Sequence, residues 1–430
     1  VLEDLYITAP TRAVMVAAVT NVSCALVGVF LVLRRMSLMG DAISHAVLPG
    51  LVIAFLLSGS TGATPMLLGA AGAGLATTFL TQTLNRTGKV AADASLGVVY
   101  TTLFALGVVL VKRFLGQIHF DTACVYQGSL LKAALDTTPI AGIEIPQALI
   151  AATIVLALVV VVFLLLWKEL TVSSFDPALS STMGYSADLM HYLLMLLVAF
   201  TSVVSFQSIG AILVVAMLIA PAAAAHLLVD RLAPMALISA AIALMVSVAG
   251  YALASHWDVS PAGTMAALAG AAYFAAAIGS PRHGALAKLA ANARLALRIR
   301  RDDLLAALYR GEETDGNAPM PRQEALHWAD DGLYARWVLR RLKRWGQVSE
   351  SSQGLKLTKA GRHAAAQLVR QHRLWEAYLV EHAGLQEDHV HDPAHVVEHY
   401  TGAELEAFLE QELSDAVRDP HGKEIPGREN

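Results

Sequence analysis

The sequence is poor in cysteine and in charge. Cys24 and Cys124 are its only thiols in 430 residues, each alone in apolar surroundings. That excludes a disulfide framework and a thiolate metal site, and leaves both as packing residues. Charged residues make up 15% of the chain against 56% hydrophobic, with mean hydropathy +0.54, which excludes an ordinary soluble enzyme. No Gly-x-x-x-x-Gly-Lys-Ser/Thr loop occurs, so the chain has no phosphate cradle of that kind. A net charge of -4 gives no reason to expect a nucleic-acid partner.

What charge there is lies mostly at one end. Residues 1 to 279 hold 10 of the 31 Lys+Arg and 12 of the 35 Asp+Glu, so a lipid-embedded body precedes a soluble tail. Apolar runs are centred near 12 to 33, 38 to 57, 65 to 84, 95 to 111, 148 to 166, 189 to 206, 208 to 228, 234 to 254 and 261 to 278. These are nine candidate spans, each close to the roughly 20 helical residues a bilayer core requires. The first is too long for a signal peptide. Arg34, Arg35, Arg86, Lys89, Lys168 and Arg231 then fall on one side with the Arg-rich exit from the last span. The positive-inside rule makes that side cytoplasmic, with the amino terminus outside and the tail inside. Lys112, Arg113 and Lys132 run against this scheme, in a long segment expected to hold a partly buried helix around Cys124 to Leu135.

Asp41 and His45 put two ionisable groups inside the second span, on one helical face. At 1.5 Å per residue from Met36, Asp41 lies about 8 Å and His45 about 14 Å into the membrane. A carboxylate and an imidazole suit a first-row divalent cation such as Mn²⁺, Zn²⁺ or Fe²⁺. The competing reading is a neutral polar pair bonded to neighbouring helices. Because a charge buried in lipid costs at least about 2.5 kcal/mol, function is the better explanation. Further ligands must come from elsewhere. Between spans five and six, Ser174-Phe175-Asp176-Pro177-Ala178-Leu179 leads to Gly184. Asp176 is a helix cap, Pro177 a first helical residue and Gly184 a stop. This short capped helix could receive force from a peripheral motor or be an ordinary surface turn. Pro221 interrupts the seventh span beside a run of alanines that permits close helix approach. His226 reads as a loop-edge residue, and His119, Asp121, His256 and Asp258 as outer-loop polarity that could also guide a metal.

The tail opens with an Ala/Arg/Leu helix near 285 to 310. Helices near 322 to 330 and 333 to 345, strand-like 347 to 351 and 355 to 358, and a helix over 359 to 383 follow. That order predicts a winged helix-turn-helix. Arg336, Arg340, Arg341, Lys343 and Arg344 make the second helix basic, suited to DNA, anionic headgroups or water. Beyond it, His372 and Glu376 are four residues apart, and His391, His395, Glu398 and His399 share a second helix. Ten of the 15 histidines lie in this tail, which favours a divalent-metal constellation over a solvated face.

Two resemblances can be placed on these residues. Arg34 to Gly50 (Arg-Arg-Met-Ser-Leu-Met-Gly-Asp-Ala-Ile-Ser-His-Ala-Val-Leu-Pro-Gly), Ala94 to Tyr100, Tyr126 to Leu131, Ser174 to Leu179 and Gly210 to Ala225 resemble, in order and spacing over residues 5 to 279, the ABC-3 permease subunits of importers for zinc, manganese and iron. The resemblance implies a permease paired with itself or a related chain, two cytoplasmic ABC ATPase subunits that bind the ATP, and an extracytoplasmic metal-binding protein. It makes Asp41 and His45 the pathway metal site, and Ser174 to Gly184 the coupling helix. In the tail, Leu357 to Gly361, Gln371 to Glu376, Val390 to His399 and Asp419 to Pro426 resemble metal-dependent repressors of the diphtheria-toxin-repressor and manganese-regulator type, over about 300 to 426. By that resemblance Asp303, His395, Glu398 and His399 form a primary site and His372, Glu376 and His391 an ancillary one. His395 stands where cysteine or glutamate is common, and Asp303 in place of methionine leans toward manganese. Asp330 and Asp331 precede the basic helix, where carboxylates would repel a phosphate backbone.

The expected fold is an all-α polytopic membrane protein of 8 to 9 spans with the ABC metal-importer permease fold, then a winged helix and a helical metal-binding and dimerisation module. The expected boundaries are 1–280 for the permease, 281–321 for the connecting helix and linker, 322–360 for the winged helix and 361–430 for the metal-binding module. The expected role is a non-enzymatic permease subunit of an ATP-driven divalent-metal importer in the cytoplasmic membrane. Its cytoplasmic tail senses metal and regulates transport. The rivals are a membrane-anchored metal-dependent transcriptional regulator, and a proton-coupled carrier that uses Asp41 and His45 as a relay.

Overall fold

A computed structural model describes residues 9–60, 63–114, 130–140, 143–316, 318–329, 332–413 and 417–427. Cys124, His119, Asp121, most of the Tyr126 to Leu131 motif, Asp330 and Asp331 lie outside the described residues. The chain forms two compact units, Val1–Ala287 and Lys288–Asn430.

The first unit is helical throughout its apolar length. Its long helices are α1 (Ala9–Leu33), α2 (Ser37–Ser58), α3 (Ala63–Gly88) and α4 (Ala92–Phe114). A short α5 (Leu130–Leu135), an antiparallel hairpin of β1 (Thr137–Ile140) and β2 (Ile143–Pro146), and α6 (Gln147–Leu165) follow. Then come α7 (Trp167–Phe175), α8 (Pro177–Thr182), α9 (Ala187–Ile209), α10 (Ala211–Leu228), α11 (Leu232–Trp257) and α12 (Pro261–Gly279). Among the described residues eight of these helices are long and apolar enough to cross a membrane. α3, the third expected span, does not join them, because Gly69, Gly72, Gly74, Thr77, Thr78, Thr81 and Thr83 dilute its apolarity. It still runs the depth of α2. Gly50 and Gly69 meet backbone to backbone, and Gln82, Asn85 and Arg86 share a cavity with Met36 and Met39 at the opposite end of α2. The nearly fused sixth and seventh spans separate at Gly210, whose φ of 81° ends α9 and starts α10. The expected helix around Cys124 to Leu135 lies partly outside the described residues, and its described part, Leu130–Leu135, is helical with Leu130 and Ala134 buried, followed by a proline-edged hairpin.

Helices in lipid gain nothing from the hydrophobic effect against one another, so close packing through small residues holds them together. A Cβ on Gly28 of α1 would lie 1.9 Å from the Leu218 carbonyl oxygen of α10. Buried hydroxyls such as Thr77 and Thr78 bond the carbonyls of Ala73 and Gly74 one turn back, and Asn21 donates to Ser247 at 2.8 Å, so these buried donors are satisfied within the bundle. Gly28→Ala should force α1 and α10 apart and lower the melting temperature of the detergent-purified protein, by an overpacking cost of about 1–3 kcal/mol; an unchanged melting curve would count against this packing.

The second unit contains most of α13 (Ala285–Thr314), then α14 (Arg322–Trp328), α15 (Leu333–Arg344), the antiparallel wing β3 (Val348–Ser351) and β4 (Gly354–Leu357), α16 (Lys359–Glu381), α17 (His391–Glu398) and α18 (Ala403–Glu412). Leu304, Leu305 and Leu308 of α13 pack with Ala335, Val338, Leu339 and Leu342, one stripe of α15. The stripe leaves the arginines of α15 outside. Thr358 caps α16 by accepting from the Gly361 amide. This helix–helix–wing order is the expected winged helix.

Candidate functional site

On α2, Asp41 Oδ1 and His45 Nε2 are 3.5 Å apart, one turn along a shared face, and both side chains are half-buried. The His45 ring lies beside Tyr100 and Phe104 of α4, with centroids 6.0 and 5.7 Å away. The backbone here is set by small residues. A Cβ on Gly50 would lie 2.2 Å from the Gly69 oxygen of α3, and one on Gly107 of α4 would lie 2.9 Å from Pro49, the proline inside α2. α3 and α4 therefore grip α2 within five residues of His45, so that the pair is carried on a rigid element.

The capped helix also forms. Asp176 Oδ1 accepts from the Ala178 and Leu179 amides at 3.0 and 2.9 Å, Pro177 opens α8, and Gly184 takes a φ of 86°. Phe175 and Leu179 are exposed large apolar side chains, 62% and 50% accessible. Arg34, read from sequence only as an orientation marker, reaches across from the α1–α2 turn. Its Nε donates to Ser174 Oγ at 3.0 Å and its Nη2 to Ser173 Oγ at 2.9 Å. The turn that starts α2 is thus bonded to the helix that precedes the cap.

In the second unit, Asp303 from α13, His395 and Glu398 from α17, and His399 just after it bring one ligand atom each within 4.8 Å of one another. Asp303 Oδ1 lies 3.6 Å from both His395 Nε2 and His399 Nε2. His372 and Glu376 of α16 with His391 of α17 form a second group. His372 Nε2 is 3.0 Å from Glu376 Oε1 and from His391 Nδ1. Glu398 joins the two: Oε1 is 3.0 Å from His395 Nδ1 and Oε2 is 2.6 Å from His372 Nδ1. Burial alone would raise the Glu398 carboxyl, yet His372 and His395 hold it down to about 2. Glu376 is likewise held at about 2 by His372 and His391 against its burial. Burial dominates at Asp303, which rises to about 6 although His395 and His399 oppose the shift. His395 is raised by its bond to Glu398, and His372 is raised against its burial by Glu376 and Glu398.

Glu376 and Glu398 stay ionised beside histidines that hold their protons, a positive charge that a bound divalent ion would supply in its place. The donor set also fits such an ion. Asp303 Oδ1 and both ring nitrogens of His399 are buried with no hydrogen-bond partner, a cost that ligation removes. Nitrogen and oxygen donors without sulfur suit manganese, iron or zinc. Sequence reading missed three neighbours. Asp302 turns inward beside Asp303, with Oδ2 3.6 Å from His399 Nδ1, and the consecutive acids in Arg301-Asp302-Asp303 were the available signal. Asp419 and His421 close on Glu376 as a third group, a juxtaposition made by a loop that spacing cannot reveal.

Residues 7–280 match the family described as ABC 3 transport family, and residues 358–427 match that described as iron dependent repressor, metal binding and dimerisation domain. The chain is 44% identical over 269 residues to the manganese transport system membrane protein MntD of Bacillus subtilis (strain 168), covering 62% of this chain and 91% of that protein. It is 38% identical over 273 residues to the zinc transport system membrane protein TroD of Treponema pallidum (strain Nichols), covering 64% and 74%. Among solved structures it is similar to PsaBC from Streptococcus pneumoniae in complex with Fab, with a TM-score of 0.56 and 29% identity over 67% of this chain and 98% of that one.

Proposed function

Because this chain belongs to the ABC 3 transport family, we propose that it is the multi-pass permease subunit of an ATP-driven importer of a divalent transition metal, with a repressor-like domain that senses the imported ion. The observation that carries the reading is the Asp41–His45 pair held on α2 by the glycine contacts of α3 and α4. In this proposal the pair ligates the ion in transit, and a second permease, water or the delivering protein completes the coordination. An extracytoplasmic metal-binding protein supplies the ion, and two cytoplasmic ABC ATPase subunits bind and hydrolyse ATP. Exposed Phe175 and Leu179 of the coupling segment dock on those ATPases. Arg34 passes their movement to the start of α2 through Ser173 and Ser174.

The tail lies in the cytoplasm in this scheme. It fills its sites when internal metal is high and slows transport. The test uses vesicles holding the complete transporter, loaded with metal or with chelator. Internal metal should depress uptake by roughly fivefold or more, the low end of ordinary allosteric coupling, and His395→Ala/His399→Ala should abolish that inhibition. Uptake indifferent to internal metal in the wild type would end the feedback proposal without touching the transport assignment.

A further inference from the structure

A second feature of the tail has nothing to do with metal. α13 and α15 face each other across a cavity of about 280 Å³ lined by Arg294, Arg298, Trp337, Arg341 and Trp345 over a floor of Leu297 and Leu342. The lining follows from two helical stripes. Arg294 and Arg298 lie at i, i+4 on α13, and Trp337, Arg341 and Trp345 at i, i+4, i+8 on α15. Arg341 is stacked on both indoles, its guanidinium carbon 5.1 Å from the Trp337 centroid and 4.4 Å from that of Trp345. Arg294 and Arg298 are exposed and have no carboxylate partner among the described residues. Arg301, at the same groove, is already paired with Asp302 at 3.2 Å. The groove therefore offers two uncompensated guanidinium groups, a third fixed by stacking, and two indoles 44% and 49% exposed.

We propose that this groove binds the phosphate headgroup of an anionic phospholipid from the adjoining membrane leaflet. Guanidinium groups fork onto phosphate oxygens, and tryptophan is the side chain that favours the headgroup level of a bilayer. Leu297, half-buried at the base of the groove, gives the glycerol and first acyl carbons an apolar contact. Along the chain, Arg294 follows the last residue of α12, Gly279, by only 15 positions. The intervening stretch carries Lys288 with exposed Leu286 and Leu289, the composition of a helix that lies in a membrane interface. A DNA duplex is the poorer occupant. The wing-side cations Arg322 and Lys343 are already engaged by Glu350, and the sequence sets Asp330 and Asp331 just before α15.

Native mass spectrometry of the full-length protein in neutral detergent, titrated with phosphatidylglycerol or phosphatidylcholine, tests the proposal. Wild type should retain one phosphatidylglycerol per chain that Arg294→Ala/Arg298→Ala binds about tenfold more weakly or not at all. Phosphatidylcholine retention should be equal in both proteins. Unaltered metal binding by the tail of the variant certifies its fold, and Arg294→Lys/Arg298→Lys should recover part of the affinity because the charge remains. Equal phosphatidylglycerol retention by wild type and the alanine variant would overturn the proposal. So would inorganic phosphate displacing the lipid at equal concentration, which would mark a simple anion site. Duplex DNA bound through these arginines with no lipid preference would overturn it in favour of a nucleic-acid surface.

Discussion

Metal uptake by cells expressing the complete transporter should fall by more than about 100-fold when Asp41 and His45 are both replaced by alanine. Loss of groups that merely orient metal ligands costs 10–100-fold in affinity or activity, and removing the ligands themselves exceeds that. The two residues share one turn of α2, so no neighbour on that helix can substitute. Asp41→Asn isolates the charge, since it keeps the size and hydrogen-bonding reach of the side chain while weakening its hold on a cation. The glycine contacts at Gly50, Gly69 and Gly107 are untouched by these changes, so the protein should reach the membrane in normal amount. Radiotracer uptake with immunoblotting of the membrane fraction decides the matter: wild-type uptake in the double variant would remove this pair from the pathway.

Glu398→Ala should have the largest effect in the tail. That one carboxylate is a ligand of the first cluster and also bonds His372 of the second, so its loss should remove a ligand from the first and the group that orients a ligand in the second. Elemental analysis of the purified full chain should show metal retained at free-metal concentrations that saturate wild type falling by at least about 100-fold in affinity. The apo protein should suffer too. His372 is 2% exposed and would be left with half its carboxylate partners, and breaking a buried ion pair from one side costs about 3–5 kcal/mol. Glu398→Gln separates the two effects, restoring much of the packing but not the ligation. His391→Ala, at an exposed member of the second cluster alone, should be milder. Equal metal content in Glu398→Ala and wild type would refute the role of Glu398 as a carboxylate that serves both clusters.

The all-α membrane body and the winged helix were legible because each depends on local pattern. A run of about 20 apolar residues, or a basic helix followed by two short strands, carries its fold in adjacent residues. Asp176, Pro177 and Gly184 were legible for the same reason, since capping is decided within four residues. The metal-type side chains announced themselves by kind and spacing along α16 and α17. The convergence of His395, Glu398 and His399 with Asp303, 92 to 96 positions earlier, came only from resemblance. Besides Asp419 and His421, three things escaped. The hairpin at Thr137–Pro146 pairs strands that carry Pro139 and Pro146, residues that sheets accept only at edges or strand ends. The bonds from Arg34 to Ser173 and Ser174 join points 139 and 140 residues apart. The inward turn of Asp302 depends on the rotation of α13 within its core, which two consecutive aspartates do not specify.

Glu398 has a thermodynamic consequence. Since one of its oxygens lies in the first cluster and the other bonds a histidine of the second, an ion in either cluster should change the affinity of the other. Whatever factor an ion in the first site applies to the second, the second must return to the first. A binding isotherm of the tail will therefore not resolve into two separate constants, and the concentration at which the domain responds belongs to the pair of ions together.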